Sequence, residues 1–207
     1  MNKGIDRVYI VDDDKLVRLH LSQVLTLNGY RVEAFASGDE FLALKSPTEP
    51  ACLLLDIQMP GNDGPAIQRR LVELGWAIPI IFITAHASIP TTVKILQSGA
   101  LDVLTKPVDS ANLIRAVENA LARSREIRLH QRELSELQER MKQLTARERE
   151  VMSWVITGRM NKEMASALQI TERTVKAHRA SVMTKMSAES VVDLLRIADR
   201  LGIKPPV

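Results

Sequence analysis

One cysteine, Cys52, stands among 207 residues. A disulfide framework is therefore excluded, and a reducing, cytoplasmic setting is expected. No stretch approaches the ~20 consecutive apolar residues of a membrane-spanning helix. The opening MNKGIDRVYI also lacks the apolar segment of a secretory leader. The sequence thus predicts a soluble chain with no membrane partner. Glycine and proline, spread elsewhere, are missing from the whole stretch 109–144, which removes the residues that most readily interrupt a helix.

The excess of charge is small in each half and opposite in sign. Residues 1–120 carry 11 Lys and Arg against 14 Asp and Glu, whereas residues 121–207 carry 17 against 11. The basic C-terminal half points to a polyanionic partner, with a merely solvated basic surface as the alternative. At this length the chain suffices for one large domain or two modest ones with real cores.

From residue 7 to about residue 108, short β-rich runs (RVYIVD, YRVEAF, ACLLLD, IPIIFIT, LDVLT) alternate with amphipathic stretches such as KLVRLHLSQVLTLNG, where Leu16, Leu19, Leu21, Val24 and Leu25 supply the apolar residues. Five strands separated by helices predict an α/β fold with a doubly wound parallel sheet. Such a sheet binds its ligand beyond the carboxyl ends of its strands. Polar residues collect there: Asp12 and Asp13 after the first strand, Asp56 after the third, Thr84 after the fourth, Lys106 and Pro107 after the fifth. The carboxylates of Asp12, Asp13 and Asp56 suit a hard divalent cation such as Mg²⁺, which offsets their repulsion and accepts phosphate oxygens. Lys106 and Thr84 supply a positive charge and a hydroxyl for phosphoryl oxygens. A plain capping role explains Asp14, at the start of the first helix, but not the residues at three other strand ends.

The motifs VDDD, LLDIQMPGNDG, FITAH and LTKP resemble the receiver domain of two-component response regulators, in order, over about residues 6–121. The resemblance implies that Asp56 accepts a phosphoryl group from a sensor histidine kinase. It implies that Asp13, Asp56 and the backbone carbonyl of Gln58 bind Mg²⁺ with Asp12 behind them, and that Thr84 and Lys106 bind the phosphoryl oxygens. It further implies a cis Lys106–Pro107 bond, a loop shaped by Pro60 and Gly64, and a tuning of phosphoryl lifetime by Gln58 and His86. Two positions depart from the commonest pattern: Val103 replaces an aromatic switch residue, and Val108 stands where Phe is frequent. A haloacid-dehalogenase-type phosphatase also uses a strand-end Asp with Mg²⁺ and Lys. Its second Asp two places on is here Gln58, however, and no cap domain is present.

The stretch 109–144 is expected to form one long helix, or one with a short break. Ile127, Leu134, Leu137, Met141 and Leu144 draw a heptad-like stripe. It pairs with a second chain or lies on its own domain. In the C-terminal segment Thr145 and Glu148 fit a capping box and Gly158 closes that helix. Asn161 and Thr171 are candidate N-caps of the next two. Met164, Ala165, Leu168, Ile170 and Val175 fall at packed positions, leaving Arg173, Thr174, Lys176 and Arg179 to face DNA edges and phosphates. LTAREREV, NKEMA, TVKAH and the late KM resemble the LuxR-type helix-turn-helix. That resemblance implies a recognition helix beginning near Thr171, a half-buried His178, and a dimer contact on a final helix at about 188–201. Ala180 replaces a second lysine sometimes found there.

Together the parts resemble the FixJ/NarL class of bacterial transcription factors, and within it the StyR/TodT regulators of aromatic-hydrocarbon catabolism. The expected organisation is a flavodoxin-like receiver (1–121), a helical linker (122–143) and a small all-α DNA-binding domain (144–207). The expected function is phosphorylation-dependent transcriptional activation rather than enzymatic turnover, with Mg²⁺ as cofactor. The expected partners are the sensor histidine kinase, double-stranded promoter DNA, RNA polymerase and a second copy of the chain. A DNA-binding regulator whose receiver never takes phosphate is the alternative.

Overall fold

The computed structural model describes residues 6–60, 63–85 and 88–206. The chain divides near residue 128 into two compact units. In the first, strands β1 (Arg7–Val11), β2 (Arg31–Phe35), β3 (Ala51–Asp56), β4 (Ile80–Thr84) and β5 (Asp102–Thr105) form one sheet in the order β2-β1-β3-β4-β5. All four pairings are parallel. Period-2 alternation builds two cores from the same strands. Val8, Ile10, Cys52, Leu54, Ile81 and Ile83 pack on one face, and Tyr9, Val11, Leu53, Leu55, Ile80 and Phe82 on the other.

The first face is covered by α1 (Lys15–Leu27) and the early turns of α5 (Ser110–Lys142), the second by α2 (Gly38–Leu42), α3 (Gly64–Glu73) and α4 (Ile89–Gln97). Asp14 caps α1 by accepting from the Leu16 and Val17 N–H groups. On α1 only part of the sequence-predicted apolar set turns inward. Leu21 and Leu25 are buried with Val17 and Val24 against them, whereas Leu16 is 75% and Leu19 49% exposed. At about 100° per residue, 17, 21, 24 and 25 share one face and 16 and 19 fall opposite.

Helix α5 runs unbroken for 33 residues, as the absence of glycine and proline predicts. Its early residues Leu113, Ala116, Val117, Ala120 and Leu121 enter the first unit's core. That attachment continues beyond residue 121. The Ala51 N–H donates to Ser124 Oγ at 3.1 Å, Arg125 pairs with buried Asp6, and Arg128 donates to the Pro47 carbonyl.

The second unit contains α6 (Ala146–Val155), α7 (Asn161–Leu168), α8 (Glu172–Met186) and α9 (Val191–Arg200). Its core joins Val151, Met152, Val155, Met164, Val175, Val182, Met186, Leu194 and Ala198 with Leu137 and Leu144. Met141 packs against it. Three of the five stripe residues of 109–144 are thus taken up by their own chain. Thr145 and Glu148 form the reciprocal capping box, and Thr171 caps α8. Asn161 does not cap α7: Met160 holds that position and Asn161 is the first helical residue. The Met160 N–H finds Glu163 Oε2 at 2.8 Å, and Asn161 Oδ1 instead accepts from Arg179. The final helix begins at Val191 rather than near 188, because Ser187 takes a left-handed conformation (φ 52°) and Ser190 supplies the cap.

Candidate functional site

Topology places the acids before any side chain is considered. In the order 2-1-3-4-5 the connections leave β1 and β3 in opposite senses, which opens a crevice at their carboxyl ends. Val11 pairs with Leu55 and Asp56 with Ile83. Asp12 and Asp56, one residue further along each strand, are therefore neighbours, and Thr84 follows beside Asp56. Thr84 pairs with Thr105 and its carbonyl accepts from the Lys106 N–H at 2.8 Å, which brings the lysine to the same mouth. The Lys106–Pro107 bond is cis. Asp12, Asp56 and Thr84 are buried, and Asp13 is exposed at the rim.

Ligand oxygens of Asp12, Asp13 and Asp56 all lie within 4.8 Å of one another. Lys106 Nζ sits 2.8 Å from both Asp12 Oδ2 and Asp56 Oδ2. Burial pushes the Asp12 carboxyl up, with Asp56 adding to it, while Lys106 and the Asp14 N–H oppose it. Burial acts to lower the Lys106 pKa, but the Asp12 and Asp56 carboxylates outweigh it and raise it. One ammonium cannot neutralise three carboxylates. The pocket is short of positive charge, and its all-oxygen donor set fits a hard divalent cation.

Two supports come from the backbone. The Gln58 N–H donates to Asp56 Oδ1 at 3.3 Å. At Gly64 a Cβ would stand 2.5 Å from the Asp56 carbonyl oxygen and 2.7 Å from Phe82 Cε1, so only glycine lets α3 begin this close to the acid. Gly64→Ala is expected to destabilise the first unit by about 1–3 kcal/mol and to slow any chemistry at Asp56. Urea unfolding followed at Trp76 checks the first effect. Val108 packs on the core beside Leu104 and Ile114, and Val103 packs on the opposite face. His86, expected near the acceptor, lies outside the described residues.

In the second unit α7, a turn and α8 form the helix-turn-helix, with Gln169 left-handed (φ 53°) in the turn. Val175 is buried, His178 half-buried, and Arg173 and Lys176 exposed. Thr174 is half-buried with its hydroxyl 2.8 Å from that of Thr171. Arg179 lies about 40° around the helix from Val175, so it stands at the flank, half-buried, donating to Asn161 Oδ1 at 3.2 Å.

Beneath this motif lies a network that the sequence disclosed only as a capping box. Buried Glu148 accepts from the Thr145 N–H at 2.7 Å, from Ser181 Oγ at 2.5 Å, and from Lys185 Nζ at 2.8 and 2.7 Å. Hydrogen bonds from Lys185 first, then Ser181 and Thr145, hold its carboxyl down at about 2. Arg18 on α1, whose guanidinium donates to the Asp12 carbonyl at 2.6 Å, was likewise invisible as a site residue. Its one available signal is a position one helical turn past Asp14.

A doubly wound sheet with acids and a lysine meeting at its carboxyl end, followed in one chain by a helix-turn-helix, defines a receiver joined to a DNA-binding output domain. Comparison with known proteins gives the same division. Residues 8–118 match the response regulator receiver domain, and residues 142–204 match the bacterial regulatory proteins of the luxR family. The chain belongs to the response regulators with a LuxR-type DNA-binding domain, and it is a transcriptional regulator of that kind. It is 41% identical to response regulator protein TmoT of Ectopseudomonas mendocina, over 97% of this chain and 91% of that one. It is 37% identical to transcriptional regulatory protein FixJ of Rhizobium meliloti (strain 1021), over 96% and 97%. The solved structure of response regulator StyR superimposes with a TM-score of 0.81 at 37% identity, covering 94% of this chain and 98% of that one. Among the described residues no helix is long and apolar enough to cross a membrane.

Proposed function

We propose that Asp56 takes a phosphoryl group from the phosphohistidine of a sensor kinase, and that the modified chain dimerises and binds promoter DNA as an activator. The observation that carries this reading is the meeting of Asp12, Asp13, Asp56, Thr84 and Lys106, from four strand ends, in one pocket. A carboxylate oxygen of Asp56 attacks phosphorus, the P–N bond breaks, and the histidine nitrogen leaves with the electron pair. Lys106, already 2.8 Å from Asp56 Oδ2, meets the incoming phosphoryl oxygens as a fixed cation, and the Thr84 hydroxyl meets another. Asp13, Asp56 and the Gln58 carbonyl would hold Mg²⁺, with Asp12 supporting from behind. When bound, the ion offsets charge on the phosphoryl oxygens and on the acids together.

Phosphorylation adds charge and acceptor oxygens where Thr84 ends β4, and it biases the adjoining face of α4 and β5. With Val103 in place of a ring, that bias runs through Thr84 and the packing around it. Two half-sites engaged by a dimer raise DNA affinity through effective concentration. Arg173, Thr174, Lys176 and Arg179 form the proposed DNA-facing set, Arg173 and Lys176 reaching outward and Arg179 at the flank beside α7. RNA polymerase is the further partner of an activator.

The experiment is to treat the full chain with Mg²⁺ and acetyl phosphate, then follow mass, oligomeric state and DNA affinity. A gain of one phosphoryl group with tighter DNA binding is expected, and no mass gain overturns the proposal. Lys176→Ala is expected to weaken operator binding by about 1–3 kcal/mol in a mobility-shift titration, with phosphoryl uptake unchanged.

A further inference from the structure

We infer that Arg18 is a positioning residue for the acid pocket: by holding the Asp12 carbonyl it fixes the peptide plane that aims Asp13 at the metal ion. The inference rests on the reading of that pocket as a Mg²⁺ and phosphoryl site. Among the described residues the Asp13 carboxylate has no hydrogen-bond or ion-pair partner of its own. The Cα–Cβ direction from which it reaches the pocket is therefore set by the backbone that carries it. That backbone is held on both sides: Asp14 is fixed by its capping of α1 and by the Arg18 N–H on its carbonyl at 3.0 Å, and Asp12 by three bonds. The Asp12 N–H donates to the Phe35 carbonyl at 3.3 Å, Asp12 Oδ1 accepts from the Asp14 N–H at 2.9 Å, and the Asp12 carbonyl accepts from Arg18 at 2.6 Å.

The last of these matters most for Asp13. The carbonyl that Arg18 holds belongs to the peptide group whose nitrogen is that of Asp13, so any rotation of this plane swings the Asp13 side chain. A guanidinium-to-carbonyl bond is charge-assisted and directional, and its anchor is firm. Arg18 sits on α1 one residue after Val17, which packs on the core with buried Leu21 and Leu25.

Two roles for Arg18 predict opposite signs. As a nearby cation it repels Mg²⁺, and removing it tightens metal binding. As a positioning group it keeps Asp13 aimed, and removing it loosens metal binding, as partners of metal ligands do by about 10–100-fold. The structure favours the second, because Arg18 makes no ion pair with any of the three acids.

The test is calorimetric titration of Mg²⁺ into full-length wild type, Arg18→Met and Arg18→Lys, with the melting temperature of each measured free of metal. Expected are a roughly tenfold weaker Mg²⁺ affinity for Arg18→Met, an intermediate value for Arg18→Lys, and unchanged metal-free melting. Phosphoryl uptake from acetyl phosphate by Arg18→Met should recover to the wild-type rate at saturating Mg²⁺. Equal or tighter Mg²⁺ binding by Arg18→Met overturns the inference. So does a metal-free melting temperature that falls together with affinity, which would make Arg18 a fold-stabilising residue. Wild type that binds no Mg²⁺ overturns the reading of the pocket itself, and with it this inference.

Discussion

Asp56→Asn is expected to take up no phosphoryl group from either a kinase or acetyl phosphate, and its DNA affinity should not respond to the phosphodonor. The loss is complete because the substitution removes the nucleophile, whereas changes at Thr84 or Lys106 remove only groups that stabilise the transferred oxygens. The same substitution should leave the fold intact. An amide oxygen can still accept the Gln58 N–H that now reaches Asp56 Oδ1 at 3.3 Å, and Lys106 keeps Asp12 as a partner at 2.8 Å. Asp56 contributes to raising the Asp12 carboxyl, so neutralising it relieves a like-charge contact between two buried groups. The metal-free melting temperature should therefore not fall. Mass spectrometry, thermal melting and a DNA titration check the three statements, and normal activation by the variant in cells holding the kinase would sink the phosphoacceptor assignment.

The second large effect is expected far from that pocket. Glu148→Gln should open the DNA-binding unit, read as loss of hydrogen-exchange protection in α6 and α8 of the full chain while β1 and β3 stay protected. Glu148 ties the first turn of α6 to Ser181 and Lys185 on α8. The neutral amide leaves the Lys185 ammonium without its counter-charge. The pH dependence has a definite sign. A carboxyl at about 2 in the folded chain against 4.5 ordinarily stays ionised when folded, while the unfolded chain takes up its proton first. Its contribution is fully present above about 4.5 and is lost as pH falls toward about 2. Wild type should lose protection across that window, and the Gln variant, already weakened at neutral pH, should show a shallower acid limb. Equal protection of both at neutral pH would show that the network carries no stability.

The two predictions differ in how far the sequence led to them. Asp56 was legible because a doubly wound sheet puts its chemistry at strand ends, and strand ends are visible wherever apolar runs stop at acids. Glu148 was legible only as a local capping box, since Ser181 and Lys185 lie 33 and 37 residues away and no periodicity connects them. The α1 leucines show the same limit. Leu16 and Leu19 are as apolar as Leu21 and Leu25, but which side of the helix meets the sheet depends on the turn that aims it. Asn161 shows another: an excellent capping residue was drawn one place into the helix, where Arg179 occupies its side-chain oxygen.

The sequence by itself determined what local rules govern. These are the strand and helix order, the unbroken α5, the capping by Asp14, Thr145 and Thr171, and the separation of an acidic receiver from a basic helix-turn-helix. Each depends on residues a few positions apart, where spacing alone sets geometry. Only the tertiary structure decided which distant groups touch. It placed Asp12 against Asp56 through the pairing of β1 with β3, and it drew Leu137 and Leu144 of the stripe into the second core. It set Lys185 on Glu148, and it turned Arg18 onto the carbonyl that carries Asp13. Those contacts are fixed by strand register and helix packing, properties of the whole fold that no short stretch of chain contains.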